Sequence, residues 1–308
     1  MTGNSERHIA VIGLGRMGGA FAGRLLDEGW YVHGYDVDPR RVEAFDQPHF
    51  EGCASAADAA AHAPLVLTSV FDGGQLLQAL TSDGGILAGA GPNTLVIDAS
   101  TISPESSAEC AEACAAHSVR FVRATVSGNP GVVRAGRLGV YCSGADSDYR
   151  DIAELLGSIA ASHIWLGPGE EARYAKLVIN LLVTGTNVLL AEALGIAQAA
   201  GISQKDFFEC VQDSVVGSPF TRYKGDAIQA GDYGATITSP QVRKDLGYVL
   251  NAARTLGIGV PVAGIVDQVY GIVTEAGYGD LDFGAAALLH QAARDSWQQA
   301  GAGAAGSA

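Results

Sequence analysis

The stretch His8–Asp36, HIAVIGLGRMGGAFAGRLLDEGWYVHGYD, decides the fold. An apolar run of strand character leads into Gly13, Gly15 and Gly18 at the spacing G-x-G-x-x-G, an amphipathic helical run follows, and a second strand-like run ends at Asp36, eighteen residues past Gly18. In a chain with 41 glycines the three glycines alone are weak evidence. The strand before them, the helix after them and the acid that closes the second strand supply the context that a phosphate-binding turn needs. Gly13 permits the tight turn, Gly15 lets backbone N–H groups approach a diphosphate, and Gly18 allows the helix to pack closely on the strand, so that the helix N-terminus faces the anion. Gly13, Leu14, Gly15, Arg16, Met17 and Gly18 are therefore candidate dinucleotide-binding residues. Asp36 would accept hydrogen bonds from an adenosine ribose and repel a 2'-phosphate, which favours NAD; Arg40 and Arg41 follow closely and keep NADP possible.

Outward from this stretch, the first half of the chain alternates strand-like and helical runs: PLVLTSV, TLVIDAS, VRFVRATV and LGVYCSG are the later strands. Such alternation with short connections predicts a parallel sheet covered by helices. From about residue 170 the pattern changes to long helical stretches without β-alternation, among them PQVRKDLGYVLNAARTLG and AGIVDQVYGIVTEAG. The expected organisation is an α/β Rossmann domain over residues 1–166, an all-helical domain over 167–299 entered by a long interdomain helix, and a Gly/Ala/Ser-rich tail over 300–308 expected to fray.

Composition narrows the partners. Hydrophobic residues make up 48% and charged residues 17% of the 308, as in a globular protein, and the net charge of −14 repels nucleic acid and anionic membrane surfaces. Small solutes remain, and an anionic one must be met by local cations or backbone donors. The five cysteines, Cys53, Cys110, Cys114, Cys142 and Cys210, are odd in number and lack paired C-x-x-C spacing, which predicts free thiols in a reducing compartment. Cys110 and Cys114 read as small buried hydrophobes, and no metal site is expected. The first residues, MTGNSERHIAVIG, do not read as a signal peptide, and the apolar run Leu177–Leu190 is interrupted by Asn180, Thr184, Gly185, Thr186 and Asn187, so a soluble cytoplasmic protein is expected.

The run EARYAKLVINLLVTGTN, Glu171 to Asn187, carries one of only four lysines in the chain. At about 100° per residue, Lys176, Asn180, Thr184 and Asn187 fall on one side of a helix, with Leu177, Val178, Leu181, Leu182, Val188 and Leu189 over the rest, which predicts a polar seam on a buried rod. A buried ammonium is costly, so the seam calls for a partner or a chemical task. A structural lysine whose stem packs and whose head reaches water is the other reading of the same run.

Five blocks in order, GLGRMGGAFAGRLLDEGW, DASTISP, ATVSGNPGVVRAGRLGVYCSG, KLVIN and RKDLGYVL, resemble the signature blocks of the β-hydroxyacid dehydrogenase family, which includes 3-hydroxyisobutyrate dehydrogenases and tartronate semialdehyde reductases. The resemblance covers essentially the whole chain. It implies NAD-dependent oxidation of a small carboxylate-bearing 3-hydroxy acid, or reduction of the aldehyde or ketone, in a homodimer or homotetramer. It implies Lys176 as catalytic acid/base and Asn180 as the residue that holds the substrate. It further implies Ser127, Gly128 and Asn129 around the substrate carboxylate, Val70, Phe71 and Thr101 beside the cofactor, and Lys244 near both nicotinamide and substrate. An amine on a rigid helix suits such a proton transfer, because partial burial favours its neutral form.

The chain departs from the family pattern at several places. Arg123 stands where the family has an acid, and Asn129 where it has a glycine. Glu170 and Ala172 replace glycines ahead of the lysine, and Phe71–Asp72 replace Leu-Pro. Asn129 is expected to add a side-chain contact or narrow the pocket, and Glu170 and Ala172 to rebuild the helix start. Two other functions fit the same layout: an imine reductase, against which Lys176 and Asn180 speak, and a dinucleotide-binding sensor without catalysis. A decarboxylating 6-phosphogluconate-type enzyme would be much longer and would need a cluster of cations for its sugar phosphate.

Overall fold

The computed structural model describes residues 7–290. The tail expected to fray and the first residues of the expected leaderless start lie outside the described residues. The elements run β1 (His8–Ile12), α1 (Arg16–Asp27), β2 (Tyr31–Tyr35), α2 (Pro39–Glu43), β3 (Phe50–Gly52), α3 (Ala56–Ala61), β4 (Leu65–Thr68), α4 (Gly73–Thr81), α5 (Ile86–Gly89), β5 (Leu95–Asp98), α6 (Pro104–Ala116) and β6 (Arg120–Ser127). There follow α7 (Pro130–Arg134), β7 (Leu138–Ser143), α8 (Asp146–Asp151), α9 (Ala153–Ile159) and β8 (Ala160–Trp165). The described residues that follow are helical: α10 (Glu171–Ala199), α11 (Gln204–Asp213), α12 (Pro219–Ala230), α13 (Ser239–Thr255), α14 (Pro261–Val273) and a 3₁₀ turn at Phe283–Ala285. Two compact units divide between Lys176 and Leu177, within α10.

The first unit is built on an eight-stranded sheet in the order β3-β2-β1-β4-β5-β6-β7-β8. Its side chains alternate with period two. Ile9, Val11, Leu95 and Ile97 join Phe21 and Leu25 of α1 on one face, while Ala10, Ile12, Val66 and Val96 join Leu76, Leu80 and Cys110 of the helices on the other. Both faces are therefore apolar, as helices on each side require. The sheet is not wholly parallel: β7 runs antiparallel to β6, and β8 is parallel to β7. Only ten residues, 128–137, join β6 to β7, too few for the crossover that a parallel neighbour needs.

Strand order reverses between β1 and β4, so the turns that follow these two strands lie side by side. Gly13, at φ +89°, leaves β1 in a conformation that favours glycine, and a Cβ there would lie 2.3 Å from the Ser69 carbonyl oxygen beyond β4. A Cβ on Gly18 would lie 1.7 Å from the Gly13 oxygen, so α1 sits on the turn closer than any side chain allows.

The described part of the second unit packs α10 to α14 and the 3₁₀ turn around Val188 and Leu194 of α10, Phe208, Leu246, Tyr270 and Phe283. By length and composition α10 is apolar enough to cross a membrane, but Arg173, Thr184 and Asn187 are buried in it with internal partners, as in a core helix. Of the polar seam expected on a buried rod, Thr184 and Asn187 are buried, as are Leu177 and Val188. Asn187 donates to the Tyr270 hydroxyl (3.1 Å) and the Phe283 carbonyl (3.0 Å), and Thr184 bonds back to the Asn180 carbonyl (2.8 Å). Val178, Leu182 and Leu189, expected to cover the rod, are exposed.

A buried ion pair closes this unit. Lys224 Nζ lies 2.6 Å from Asp282 Oδ1 and 3.8 Å from the centre of the Phe283 ring, and Asp282 also accepts the N–H groups of Thr236 and Gly284. Burial lowers the Lys224 amine from its ordinary value, partly offset by Asp282. Burial works to raise the Asp282 carboxyl, but the bond and charge of Lys224, with those further donors, outweigh it and hold the group below the usual carboxylate range. Because the folded-state value is depressed, the stabilisation from Asp282 is present above the ordinary carboxylate pKa and is lost as pH falls through the folded one. Replacing Asp282 by Asn leaves a buried ammonium without its counter-charge. Denaturation of the second unit should show a loss of about 3–5 kcal/mol at neutral pH; a change below about 0.5 kcal/mol would contradict the pair's assigned role.

Candidate active site

Gly15 caps the N-terminus of α1 without any side-chain bond to the helix. Many other helices of the chain take such a bond from a side chain, including Ser55, Asp72, Ser103 and Asn129. The first N–H groups of α1 thus face outward beside a turn of glycines, the arrangement that receives a diphosphate. A cleft of about 880 Å³ opens there, lined by Leu14, Gly15, Arg16, Arg40, Arg41 and Arg134 among others. These residues fit a dinucleotide.

Asp36, at the end of β2, is buried. It accepts the Leu14 N–H on Oδ2 (2.7 Å) and the Asp38 N–H on Oδ1 (2.8 Å), and Arg41 Nη1 approaches to 3.1 Å. The carboxylate thereby holds the glycine turn against the end of β2. Arg40, placed to meet a 2'-phosphate by sequence alone, is bound by both oxygens of Asp38, each at 2.9 Å. The two arginines that kept NADP possible are thus each engaged by a carboxylate.

Val70 follows β4, and its N–H donates to Ser100 Oγ (2.9 Å) after β5, next to Thr101. Phe71 is exposed and donates its N–H to Gln75; Asp72 accepts the Gln75 N–H and so caps α4. Ser127 ends β6. Gly128, at φ +145°, turns the chain where a Cβ would meet Leu138 at 2.7 Å. Asn129 caps α7 by accepting the Val132 N–H (3.1 Å), a local task for the side chain expected to alter the pocket. Beside this turn, Lys176 donates from Nζ to the Val126 carbonyl at 2.7 Å. The first unit therefore brings the lysine to Val126, fifty residues away in the chain, and so beside the Ser127–Gly128 segment.

The rebuilt start of α10 has clear contacts. Ala172 is buried, donating its N–H to Ser143 Oγ and accepting from Thr125 Oγ1 on its carbonyl. Glu170 pairs with Arg123, so two departures that are distant in sequence are partners in space. Two residues given no role from sequence are also prominent: Arg173, fully buried and ion-paired with Asp98 at 2.6 Å, and Asp245 of α13. Within the second unit Asp245 accepts the Asn180 amide (2.8 Å) on one oxygen and stands 3.2 Å from Lys244 Nζ on the other. The acid that ends the apolar run LVID was the only sequence sign of the first pair. Cys110, Cys114 and Cys142 are buried, and burial pushes each thiol up to about 12, so they behave as small apolar residues.

The family model for the NAD binding domain of 6-phosphogluconate dehydrogenase matches residues 8–167, just over half the chain, and that for the NAD-binding region of NADP-dependent 3-hydroxyisobutyrate dehydrogenase matches 171–290. The chain belongs to the β-hydroxyacid dehydrogenase family. Among β-hydroxyacid dehydrogenases, L-threonate dehydrogenase of Cupriavidus necator is 29% identical, over 90% of this chain and 94% of the relative. The solved structure of Mycobacterium tuberculosis 3-hydroxyisobutyrate dehydrogenase with L-serine is 26% identical, with a TM-score of 0.81 over 92% of this chain and 99% of that one. An imine reductase from Pseudomonas sp. shares the fold more distantly, at 20% identity and a TM-score of 0.62 over 92% of this chain and 98% of that one. Membership makes the chain an oxidoreductase with an NAD-binding Rossmann domain.

Proposed function

We propose that this enzyme oxidises a small carboxylate-bearing 3-hydroxy acid reversibly with NAD, Lys176 serving as proton acceptor and donor. The observation that carries the reading is the 2.7 Å bond from Lys176 Nζ to the Val126 carbonyl, which places the amine beside the Ser127–Gly128 turn. NAD, when bound, supplies the hydride acceptor. It would lie on Gly13, Leu14, Gly15, Arg16, Met17 and Gly18, with Asp36, Val70, Phe71 and Thr101 around it. The Lys176 amine takes the hydroxyl proton as hydride leaves carbon, and returns it in the reverse direction. Ser127, Gly128 and Asn129 hold the substrate carboxylate, and Asn180 orients a substrate oxygen without adding charge. Lys244 serves nicotinamide and substrate as the family pattern implies.

Engagement of Arg40 and Arg41 by Asp38 and Asp36 favours NAD, since an added 2'-phosphate would meet carboxylates whose arginines are already held. A screen of hydroxy acids with NAD and NADP, read by the absorbance of the reduced nicotinamide, should give kcat/KM roughly tenfold or more higher with NAD. An NADP preference would overturn the role of Asp36. Turnover of cyclic imines without turnover of any hydroxy acid would favour the imine reductase reading instead.

The working unit is a homodimer or homotetramer. Val178, Leu182, Leu189 and Ile196 are exposed along α10 and, at about 100° per residue, fall within roughly 40° of one another. A row of this kind suits a second copy of the chain. Sedimentation should show at least a dimer that Leu189→Glu weakens; a monomeric wild-type chain would refute the assembly.

A further inference from the structure

We propose that Arg173 is a positioning residue, which fixes the start of α10 so that Lys176, one turn on, presents its amine at a set place. This inference rests on the acid/base reading of Lys176.

Arg173 uses every edge of its guanidinium. Nη2 meets Asp98 Oδ2 at 2.6 Å, Nη1 donates to the Ser100 carbonyl at 2.8 Å, and Nε donates to Ser107 Oγ at 3.0 Å. The arginine side chain is 1% exposed and that of Asp98 0%. Asp98 Oδ1 in turn accepts from Thr68 Oγ1 (2.6 Å) and from Ser100 Oγ (2.7 Å), and Ser100 Oγ accepts the Val70 N–H. One buried network thus ties α10 to the ends of β4 and β5, whose turns carry Val70, Phe71 and Thr101, and to α6 through Ser107. Arg123 reaches the same Ser107 hydroxyl at 3.3 Å and pairs with Glu170. Two changes from the family's run before the lysine, Glu170 and Ala172, together with Arg123 and the buried Arg173, therefore form a single anchor in place of the glycine-containing helix start. A guanidinium with three directional contacts holds angle as well as distance, which a point charge does not. Because each contact of Arg173 lies in the same unit as Lys176, the network fixes the lysine's helix against the segment whose Val126 carbonyl receives its amine.

A buried pair serving only stability would lower activity without regard to Lys176. A double-mutant cycle separates the two roles. Arg173→Lys keeps the charge beside Asp98 and gives up the directional contacts; Arg173→Gln with Asp98→Asn removes both charges together and guards against misfolding. Each is made in the wild-type and in the Lys176→Ala enzyme, with kcat, the NAD dissociation constant and thermal melting measured. The expected result is a loss of tenfold or more in kcat in the wild-type background, with NAD affinity within threefold, and a loss of less than twofold in the Lys176→Ala background. Unchanged kcat in folded Arg173→Lys, or the same fold-loss in both backgrounds, overturns the proposal. Wild-type turnover by Lys176→Ala alone would overturn the acid/base reading, and this inference with it; that outcome is read from one variant, independently of the cycle.

Discussion

Replacing Lys176 by Ala is expected to lower kcat by about 10²- to 10⁴-fold, the range typical of a positioned general acid or base. NAD affinity is expected to change little, because the lysine amine is bonded to the Val126 carbonyl beside the Ser127–Gly128 turn, whereas the diphosphate is received at Gly13–Gly18. A purely structural lysine would give the opposite pattern, altered melting with turnover preserved, and a dinucleotide sensor would bind NAD with no turnover to lose. Stopped-flow measurement of reduced-nicotinamide formation and fluorescence titration of the cofactor read the two quantities separately. Turnover within twofold of wild type would remove the catalytic assignment.

Gly18→Ala is the second large effect. Its Cβ would fall 1.7 Å from the Gly13 oxygen and 2.9 Å from the Gly13 carbonyl carbon, both backbone atoms of the turn itself, so α1 or the turn must move. Overpacking of this kind costs about 1–3 kcal/mol, and since the displaced N–H groups are those offered to the diphosphate, NAD affinity should fall roughly tenfold or more. Gly23→Ala provides the contrast on the same helix. Beyond the adjoining residues and backbone of its own helix, nothing lies within 4 Å of a Cβ built there, and alanine is the better helix former, so stability should hold or rise by up to about 1 kcal/mol. Equal NAD affinity in the wild type and Gly18→Ala would show that close approach of α1 is not what builds the site.

The first unit was legible in sequence where its determinants are local. The strand, glycine turn, helix, strand and acid of His8–Asp36 lie within one run, and β1, α1 and β2 form where that pattern places them. The edges of the sheet were harder to see. Strand β3 is three residues long, Phe50–Gly52, and β8, Ala160–Trp165, is largely exposed, so neither carries the apolar signal that marks a buried strand. The antiparallel turn into β7 did leave a trace, in the shortness of the link 128–137, but a strand's direction is set by its neighbour and not by its own composition. The lysine's helix shows the same limit. Periodicity put Lys176, Asn180, Thr184 and Asn187 on one side, yet which side is buried depends on partners such as Tyr270 and Phe283, more than eighty residues away. Arg173 and Asp98 are seventy-five residues apart, and an acid at the end of the apolar run LVID shows that a partner is needed without showing which residue supplies it.

The account stands on the Lys176 amine meeting the reacting oxygen, and a structure of the enzyme with NAD and a turned-over hydroxy acid tests that contact directly. It predicts Nζ within about 3.2 Å of the hydroxyl on the carbon that faces the nicotinamide, or one water away. A complex with the substrate seated for hydride transfer, Nζ more than about 5 Å from that oxygen with no bridging water, and another titratable group in its place would contradict it.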